Sequence, residues 1–267
     1  MLSNRLEYEE HIVHYYIHGS GPKVMLAFHG FGLTGASFFP VAEALKEEYT
    51  IYSLDIFYHG KSHWGTPKKS LSKDYWTRLI DFFCKQHKID KFALLAFSMG
   101  GKFALTLIEQ RSSRIQNIFF LAPDGIQTQI WYNLATYPIL FQKYFKSIIV
   151  KPQRFHTVLN SLKTIGLVDK GISKFAASQM NTIKKRRRVY YAWVVFKELL
   201  FDLTHVADLI NKEQIEVTVF LGKYDKIITE KGMNKLLKHL EHHRKIVLDC
   251  GHNNLIDHTA DFLIQNK

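Results

Sequence analysis

The chain has 267 residues, of which 46% are hydrophobic and 22% charged, a composition typical of globular proteins that excludes disordered and fibrous classes. No apolar stretch approaches the roughly 20 residues that cross a bilayer, and the polar, acidic start "MLSNRLEYEE" lacks the hydrophobic region of a signal peptide. We therefore expect no transmembrane segment. Two cysteines, Cys84 and Cys250, make no disulfide framework, so we expect a reducing, cytoplasmic location.

Short apolar runs alternate with helical patterns in the first half of the chain. The runs predict strands at 11–19, 23–30, 49–56, 91–97 and 117–123. The helical patterns predict helices at 39–48, 74–88 and 99–111. Pro40 lies near the start of the first of these helices, where proline is tolerated.

The same alternation resumes in the final quarter. It predicts strands at 215–222 and 245–251, a helix at 230–241 and a closing helix. Apolar strands separated by helices are typical of a parallel sheet covered on both faces. We therefore predict an α/β fold built from residues 1–125 and 210–267.

Residues 126–209 interrupt this alternation with a long, aromatic-rich, helical pattern. They hold thirteen Lys or Arg and four Asp or Glu, so this segment carries nine of the twelve excess positive charges. We interpret it as a helical cap inserted into the fold.

The stretch "LLAFSMGGKFAL" at 94–105 places Ser98 where a buried strand is expected to turn into a helix. Small residues at Ala96, Gly100 and Gly101 leave room for the two backbones to approach, while the turn presents the hydroxyl above the sheet. A serine here is otherwise a helix N-cap. The pattern resembles the G-x-S-x-G nucleophile elbow of the α/β-hydrolase superfamily, with Ala96 in place of the first glycine.

That resemblance implies an acid and a histidine later in the chain, each following a strand. Asp225 in "FLGKYDKII" and His252 in "LDCGHNNLID" stand at those places. Serine needs a base to remove its proton, and a carboxylate orients that base. Asp124 in "LAPDG" is the alternative acid, although a Pro-Asp-Gly turn accounts for it as well.

A rival interpretation comes from "GFGLTG" at 30–35, which matches the dinucleotide fingerprint G-x-G-x-x-G after a strand, with Asp55 twenty residues beyond Gly35. It favours an oxidoreductase that uses NAD(P). In that motif the helix begins within the glycines, which would place Pro40 inside it at a cost of about 3 kcal/mol.

The hydrolase resemblance extends to three further stretches. "HGFG", comprising His29, Gly30, Phe31 and Gly32, is similar to the superfamily's oxyanion loop. The resemblance implies that the backbone N–H groups of Phe31 and Met99 stabilise a tetrahedral oxyanion. "DIFYHGKSHW" at 55–64 and "GHNNLIDHTADF" at 251–262 resemble the superfamily's D-x-P-G-x-G-x-S loop and C-terminal G-H motif, the former with Phe57 and Tyr58 replacing proline and glycine.

The sequence thus predicts a capped α/β-hydrolase without a cofactor, which cleaves carboxylic esters or thioesters through an acyl-enzyme on Ser98. The same constellation also serves carbon–carbon bond hydrolases and lyases, and a binding protein without catalytic activity would share the fold. The expected substrate is a small or carrier-bound acyl group, because the "HGFG" loop, the serine elbow and the basic cap resemble capped esterases that act on carrier-protein esters in biotin precursor synthesis.

Two charged patterns have alternative explanations. The run "KKRRR" at 184–188 is typical of a solvated helix face, and docking of an acidic protein or attraction to a membrane surface are further hypotheses. No nucleic-acid-binding module accompanies it. His239, His242 and His243 have helical spacing but not the H-E-x-x-H order, so we predict no metal site.

Overall fold

A computed structural model of the chain describes residues 2–66, 69–126, 136–166, 168 and 170–266, with the side chains of 170 and 172 left out. Its strands are β1 (Leu2–Tyr8), β2 (His11–His18), β3 (Lys23–Phe28), β4 (Tyr49–Leu54), β5 (Phe92–Phe97), β6 (Ile115–Leu121), β7 (Glu216–Gly222) and β8 (Arg244–Leu248). Its helices are α1 (Phe39–Leu45), α2 (Lys73–Gln86), α3 (Gly100–Arg111), α4 (Ile139–Ser147), α5 (Gln153–Thr164), α6 (Lys170–Met180), α7 (Ile183–Val195), α8 (Leu203–Lys212), α9 (Glu230–Leu237) and α10 (Leu255–Gln265).

The described strands form one sheet in the order β1-β2-β4-β3-β5-β6-β7-β8. Strands β3 to β8 are parallel to one another, whereas β2 pairs antiparallel with both β1 and β4 at one side of the sheet. The mostly parallel sheet predicted from the apolar runs is thereby confirmed. Every side chain of β5 is buried, as expected for a central strand covered on both faces.

The pairing register aligns the carboxyl ends of the strands at one edge of the sheet. Phe97 at the end of β5 pairs with Leu121 of β6, and Leu121 pairs with Phe220 of β7. Gly222 of β7 in turn pairs with Leu248 of β8. The segments that follow β5, β7 and β8 therefore start from the same edge, although they are far apart in sequence.

Helices flank the sheet in two groups, α1 with α10 and α3 with α2 and α8. An aromatic cluster joins the sheet to the second group: the Trp76 ring lies 5.6 Å from Phe28 and 4.9 Å from Phe103. All three side chains are fully buried. Burial of such a side chain stabilises the fold by about 1.5–3 kcal/mol, so these contacts hold α2 and α3 on the sheet.

Several helices begin at a side chain that accepts from the first turn. Ser72, Thr182, Asp202 and Thr229 cap α2, α7, α8 and α9 in this way. Strand β1 was not predicted, because its alternating charged and polar side chains are mostly exposed and pair with β2 alone.

The described residues form two compact units. The first comprises those of Met1–Thr66, Leu71–Gln127 and Leu199–Lys267, and the second those of Pro67–Ser70 and Thr128–Glu198. The first unit thus includes 199–209, which the sequence analysis grouped with the helical insertion. Residues 127–135, 167 and 169 of that insertion lie outside the described residues, and its assignment as a cap stays a prediction.

Helices α4 to α7 belong to the second unit, in which α7 carries the basic run. Arg186 is buried, and its guanidinium donates to the carbonyl oxygens of Ile149 and Met180, both at 2.9 Å. Lys184 and Arg187 are exposed. The basic run is therefore only partly a solvated face, because Arg186 connects the ends of α4, α6 and α7.

Candidate active site

Ser98 lies in the turn between β5 and α3 and has a φ of +49°, a strained conformation for a residue other than glycine. Its N–H donates to the Leu121 carbonyl at 3.1 Å, and its carbonyl accepts from the Asp124 N–H at 2.7 Å. A β-carbon at Gly100 would lie 1.9 Å from the Phe28 carbonyl oxygen, so only glycine fits there. The turn consequently holds Ser98 at the sheet edge in a fixed, strained geometry.

His252 and Asp225 reach the same edge from β8 and β7. The Nε2 atom of His252 lies 2.9 Å from Ser98 Oγ, and its Nδ1 atom lies 2.6 Å from Asp225 Oδ2. The side chains of Asp225 and His252 are 0% and 9% exposed, so both bonds are largely shielded from water. The structure thus brings the three predicted triad residues into one hydrogen-bonded chain.

The second carboxylate oxygen of Asp225 is also occupied. Asp225 Oδ1 accepts from the N–H groups of Ile227 and Ile228 at 2.8 and 2.9 Å, which leaves Oδ2 directed at the imidazole. Because a carboxylate oxygen accepts, Nδ1 of His252 carries the proton in this pair. Its Nε2 atom then has a lone pair for the Ser98 hydroxyl, as a general base requires.

The alternative acid Asp124 lies elsewhere. Its Oδ1 atom accepts from the Gly125 N–H at 2.7 Å, and its Oδ2 atom lies 3.9 Å from Lys102 Nζ. The geometry therefore favours Asp225 as the partner of His252, and Asp124 occupies the turn that follows β6.

The "HGFG" loop follows β3, the strand beside β5. His29 is fully buried, and its Nε2 atom accepts from the Ile56 N–H at 2.9 Å. Its Nδ1–H consequently donates to the Gly30 carbonyl at 2.8 Å. These bonds connect the loop to the segment after β4, and they hold the stretch that contains Phe31 and Gly32.

Gly30, which has no side chain, lets this loop pass close to the serine. A β-carbon at Gly30 would lie 2.8 Å from the Phe97 ring and 3.2 Å from Cβ of Ser98. Met99 follows Ser98 directly, at the start of α3, where backbone N–H groups have no partner within the helix. The loop and the helix start thus approach Ser98 from two sides, and the oxyanion roles of Phe31 and Met99 stay predictions.

Asp55 does not fit the dinucleotide hypothesis. Its Oδ1 atom accepts from the Gly35 N–H at 2.8 Å, and its Oδ2 atom accepts from Lys61 N–H at 3.0 Å and His14 Nδ1 at 2.8 Å. The buried carboxylate is thus engaged by the protein and not presented to a ribose. A 3₁₀ turn at Gly35–Phe38 precedes helix α1, which begins at Phe39 with Pro40 in its first turn as predicted.

Sequence reasoning missed one residue beside the site and one partner of Asp55. The Phe97 ring lies 4.9 Å from the His252 imidazole at an interplanar angle of 32°, and so restricts its movement. His14 approaches Asp55 from a strand far away in sequence. Phe97 could have been suspected as the neighbour of Ser98, whereas nothing in the sequence around His14 indicates its partner.

The two cysteines are free and buried. Burial raises the pKa of the Cys84 thiol to about 11. Burial, followed by the negative charges of Asp225 and Asp249, also raises the pKa of the Cys250 thiol. Among the described side chains, no cluster of three His, Cys, Asp or Glu is arranged to hold a metal ion.

Comparisons with known proteins agree with this fold. A family model described as the alpha/beta hydrolase fold matches residues 23–259. Pimeloyl-[acyl-carrier protein] methyl ester esterases of Legionella pneumophila strains Lens and Paris are 29% identical over 128 residues, 46% of this chain and 48% of theirs. The match thus spans about half the length of these curated relatives.

Solved structures match over nearly the whole chain. An esterase from Thermogutta terrifontis has a TM-score of 0.69 at 15% identity, covering 100% of this chain and 96% of that one. The enol-lactonase from Burkholderia xenovorans LB400 has a TM-score of 0.68 at 14% identity, covering 98% of each chain. At such low identity these likenesses concern the fold alone. In the part of the chain that the structure describes, no helix has the length and apolar character needed to cross a membrane.

Proposed function

The chain belongs to the family of α/β hydrolase fold proteins, and from this premise we propose that it is a serine hydrolase that cleaves carboxylic esters. The observation that carries the proposal is the hydrogen-bonded chain from Ser98 Oγ through His252 to Asp225, at 2.9 and 2.6 Å. The hydroxyl, the imidazole and the carboxylate lie in the order that nucleophilic catalysis requires.

In the proposed mechanism, His252 Nε2 removes the proton from Ser98 as Oγ attacks the substrate carbonyl. The N–H groups of Phe31 and Met99 stabilise the oxyanion of the tetrahedral intermediate. His252 then gives its proton to the leaving alcohol, which leaves the acyl group on Ser98. Water, deprotonated by the same imidazole, releases the acid, while Asp225 stabilises the imidazolium in both steps.

A thioester has the same acyl carbon and follows the same steps with a thiol as leaving group. A carrier-bound acyl ester is a second substrate candidate, because the curated relatives are by name esterases for pimeloyl-[acyl-carrier protein] methyl ester. We retain an acidic protein partner and a cytoplasmic location as predictions. A higher kcat/KM for an acyl ester on its carrier protein than for the same ester on free pantetheine would support this candidate, and equal values would contradict it.

The first test is the intact mass of the protein after treatment with a fluorophosphonate. We expect one adduct on the wild type, none on Ser98→Ala, and one on the control Ser3→Ala, which alters an exposed serine of β1. An adduct on Ser98→Ala, or none on the wild type, would contradict an activated Ser98. A panel of esters, thioesters and carbon–carbon substrates then identifies the bond that is cleaved.

A further inference from the structure

Exposed apolar side chains are concentrated in the second unit. Of the fifteen large hydrophobic side chains that are exposed among the described residues, nine belong to this smaller unit. They are Tyr137, Ile139, Leu140, Phe141, Tyr144, Val150, Val158, Ile165 and Ile183. Such a concentration is typical of a surface that binds something apolar.

The densest part lies at α4, and we define the α4 surface as Tyr137, Ile139, Leu140, Phe141, Tyr144 and Val150. Ile139 is 72% exposed, Leu140 76% and Val150 74%. Helix α4 also has an interior side, because Phe145 is buried and contacts the rings of Tyr190 and Trp193 at 5.4 and 5.5 Å. The α4 surface thus adjoins the side that packs the unit, because Phe141 lies only about 40° from Phe145 around the helix, yet its own apolar side chains stay exposed.

Three apolar side chains share one side of α4, and Ile139 shares another side with two lysines. At about 100° per residue, Leu140, Phe141 and Tyr144 fall within an arc of about 100°. Lys143 and Lys146 lie on either side of Ile139, each about 20–40° from it. Both lysines are exposed. Lys143 thus borders the apolar stripe on one side, about 60° from Leu140. Exposed apolar side chains beside lysines are typical of helices that lie in a membrane interface.

The charged side chains in the sequence around α4 are basic. Between residues 136 and 166 the chain holds five Lys or Arg and no Asp or Glu. The guanidinium of Arg154 lies 5.6 Å from the Tyr144 ring, which adds a cation beside the stripe. In the first unit, by contrast, Lys23, Lys46 and Lys245 each pair with a glutamate. The cations around α4 therefore favour an anionic partner.

We propose that the α4 surface binds the protein peripherally to an anionic lipid bilayer. A bilayer offers phosphate groups to the lysines and, just below them, an acyl region to Ile139, Leu140 and Phe141. The rings of Tyr137 and Tyr144 suit the boundary between the phosphate groups and the acyl region. An acidic protein would satisfy the lysines but give no reason for three consecutive exposed apolar side chains. This inference does not depend on the reaction at Ser98.

Co-sedimentation with vesicles tests the proposal, using phosphatidylcholine alone and phosphatidylcholine mixed in equal parts with phosphatidylglycerol. We expect the wild type and Ser98→Ala to sediment with the anionic vesicles and to remain in solution with the neutral ones. The double variant Ile139→Gln/Leu140→Gln should bind roughly 10–100-fold more weakly. The affinity of Lys143→Gln/Lys146→Gln for the anionic vesicles should fall about fivefold per lysine and should depend much less on salt concentration.

The matched control is Val247→Gln/Ile264→Gln, which alters exposed apolar side chains of the first unit. It should bind like the wild type. Circular dichroism establishes that each variant is folded. The three double variants alter only exposed side chains and should also hydrolyse a soluble ester like the wild type, whereas Ser98→Ala should not. Absence of sedimentation with anionic vesicles, or equal loss in the control, overturns the proposal. Retention on immobilised polyglutamate without vesicle binding overturns it in favour of an acidic protein.

Discussion

The sheet edge around Ser98 and the surface of the helical unit use polar groups in opposite ways. At the sheet edge, the carboxylates of Asp225 and Asp55 are buried, and each accepts several hydrogen bonds from fixed donors. In the helical unit, lysines and large apolar side chains of α4 face solvent together. A reaction needs groups held at defined distances, whereas binding to a fluid surface needs groups that remain accessible.

Two carboxylates of the first unit test whether catalysis depends on a group held at a defined distance. We expect Asp225→Asn to lower kcat by about 10⁴-fold, because an amide no longer selects the imidazole tautomer with a proton on Nδ1. Asp124→Asn should change kcat by less than about tenfold, since Asp124 contacts Gly125 and Lys102 instead. Steady-state kinetics on a soluble ester measure both, and the reverse ranking would assign the acid role to Asp124.

A single methyl group tests how closely the loop after β3 must approach the serine. Gly30→Ala places a β-carbon 2.8 Å from the Phe97 ring, so the loop or the ring has to move. If the loop donates to the oxyanion, we expect kcat to fall about 10²–10³-fold. Gly251→Ala is the control next to His252, because its β-carbon meets no atom within 4 Å. Equal rates for both variants and the wild type would contradict a role of this loop in catalysis.

Arg186 tests whether the helical unit also depends on a polar group held in a fixed position. Arg186→Met removes two hydrogen bonds of 2.9 Å to carbonyls that then lose their partner in the interior. We expect a loss of about 2–3 kcal/mol in the free energy of unfolding, measured by urea denaturation. Arg187→Met changes an exposed side chain and should stay within about 0.5 kcal/mol. Similar losses in the two variants would show that Arg186 is not a structural arginine.

Much of the first unit could be predicted from sequence, because continuous apolar runs and helical periodicity are local signals. The candidates Ser98, Asp225 and His252 could be proposed from sequence, since each follows a predicted strand and short motifs surround them. The pairing of His14 with Asp55 and of His29 with the Ile56 N–H joins segments from different strands, so only the sheet register reveals these bonds. Strand β1 was missed because an edge strand needs no apolar alternation.

The second unit was less predictable for a related reason. Its charge and aromatic content are visible in the sequence, but exposure depends on which part of each helix packs against its neighbours. In "KKRRR" five similar residues have different surroundings, with Arg186 buried and Lys184 exposed. In α4, Phe141 is half exposed whereas Phe145 is buried, four positions further on. The packing of the unit determines these differences, and residue type does not.

The smallest expected effect concerns Cys250, which lies two residues before His252. It tests whether the environment that activates Ser98 leaves a neighbouring thiol unreactive. Burial and the negative charges of Asp225 and Asp249 raise the pKa of its thiol, so at pH 8 it stays protonated and unreactive. We expect no change in intact mass or ester hydrolysis after iodoacetamide treatment of the native protein, and two adducts after treatment in urea, one on each cysteine. Cys84, whose pKa burial raises to about 11, serves as the internal reference for a thiol in the core. Alkylation of Cys250 but not Cys84 in the native protein would mean that the segment carrying His252 opens to solvent, and the shielding of the His252–Asp225 bond would then be incomplete.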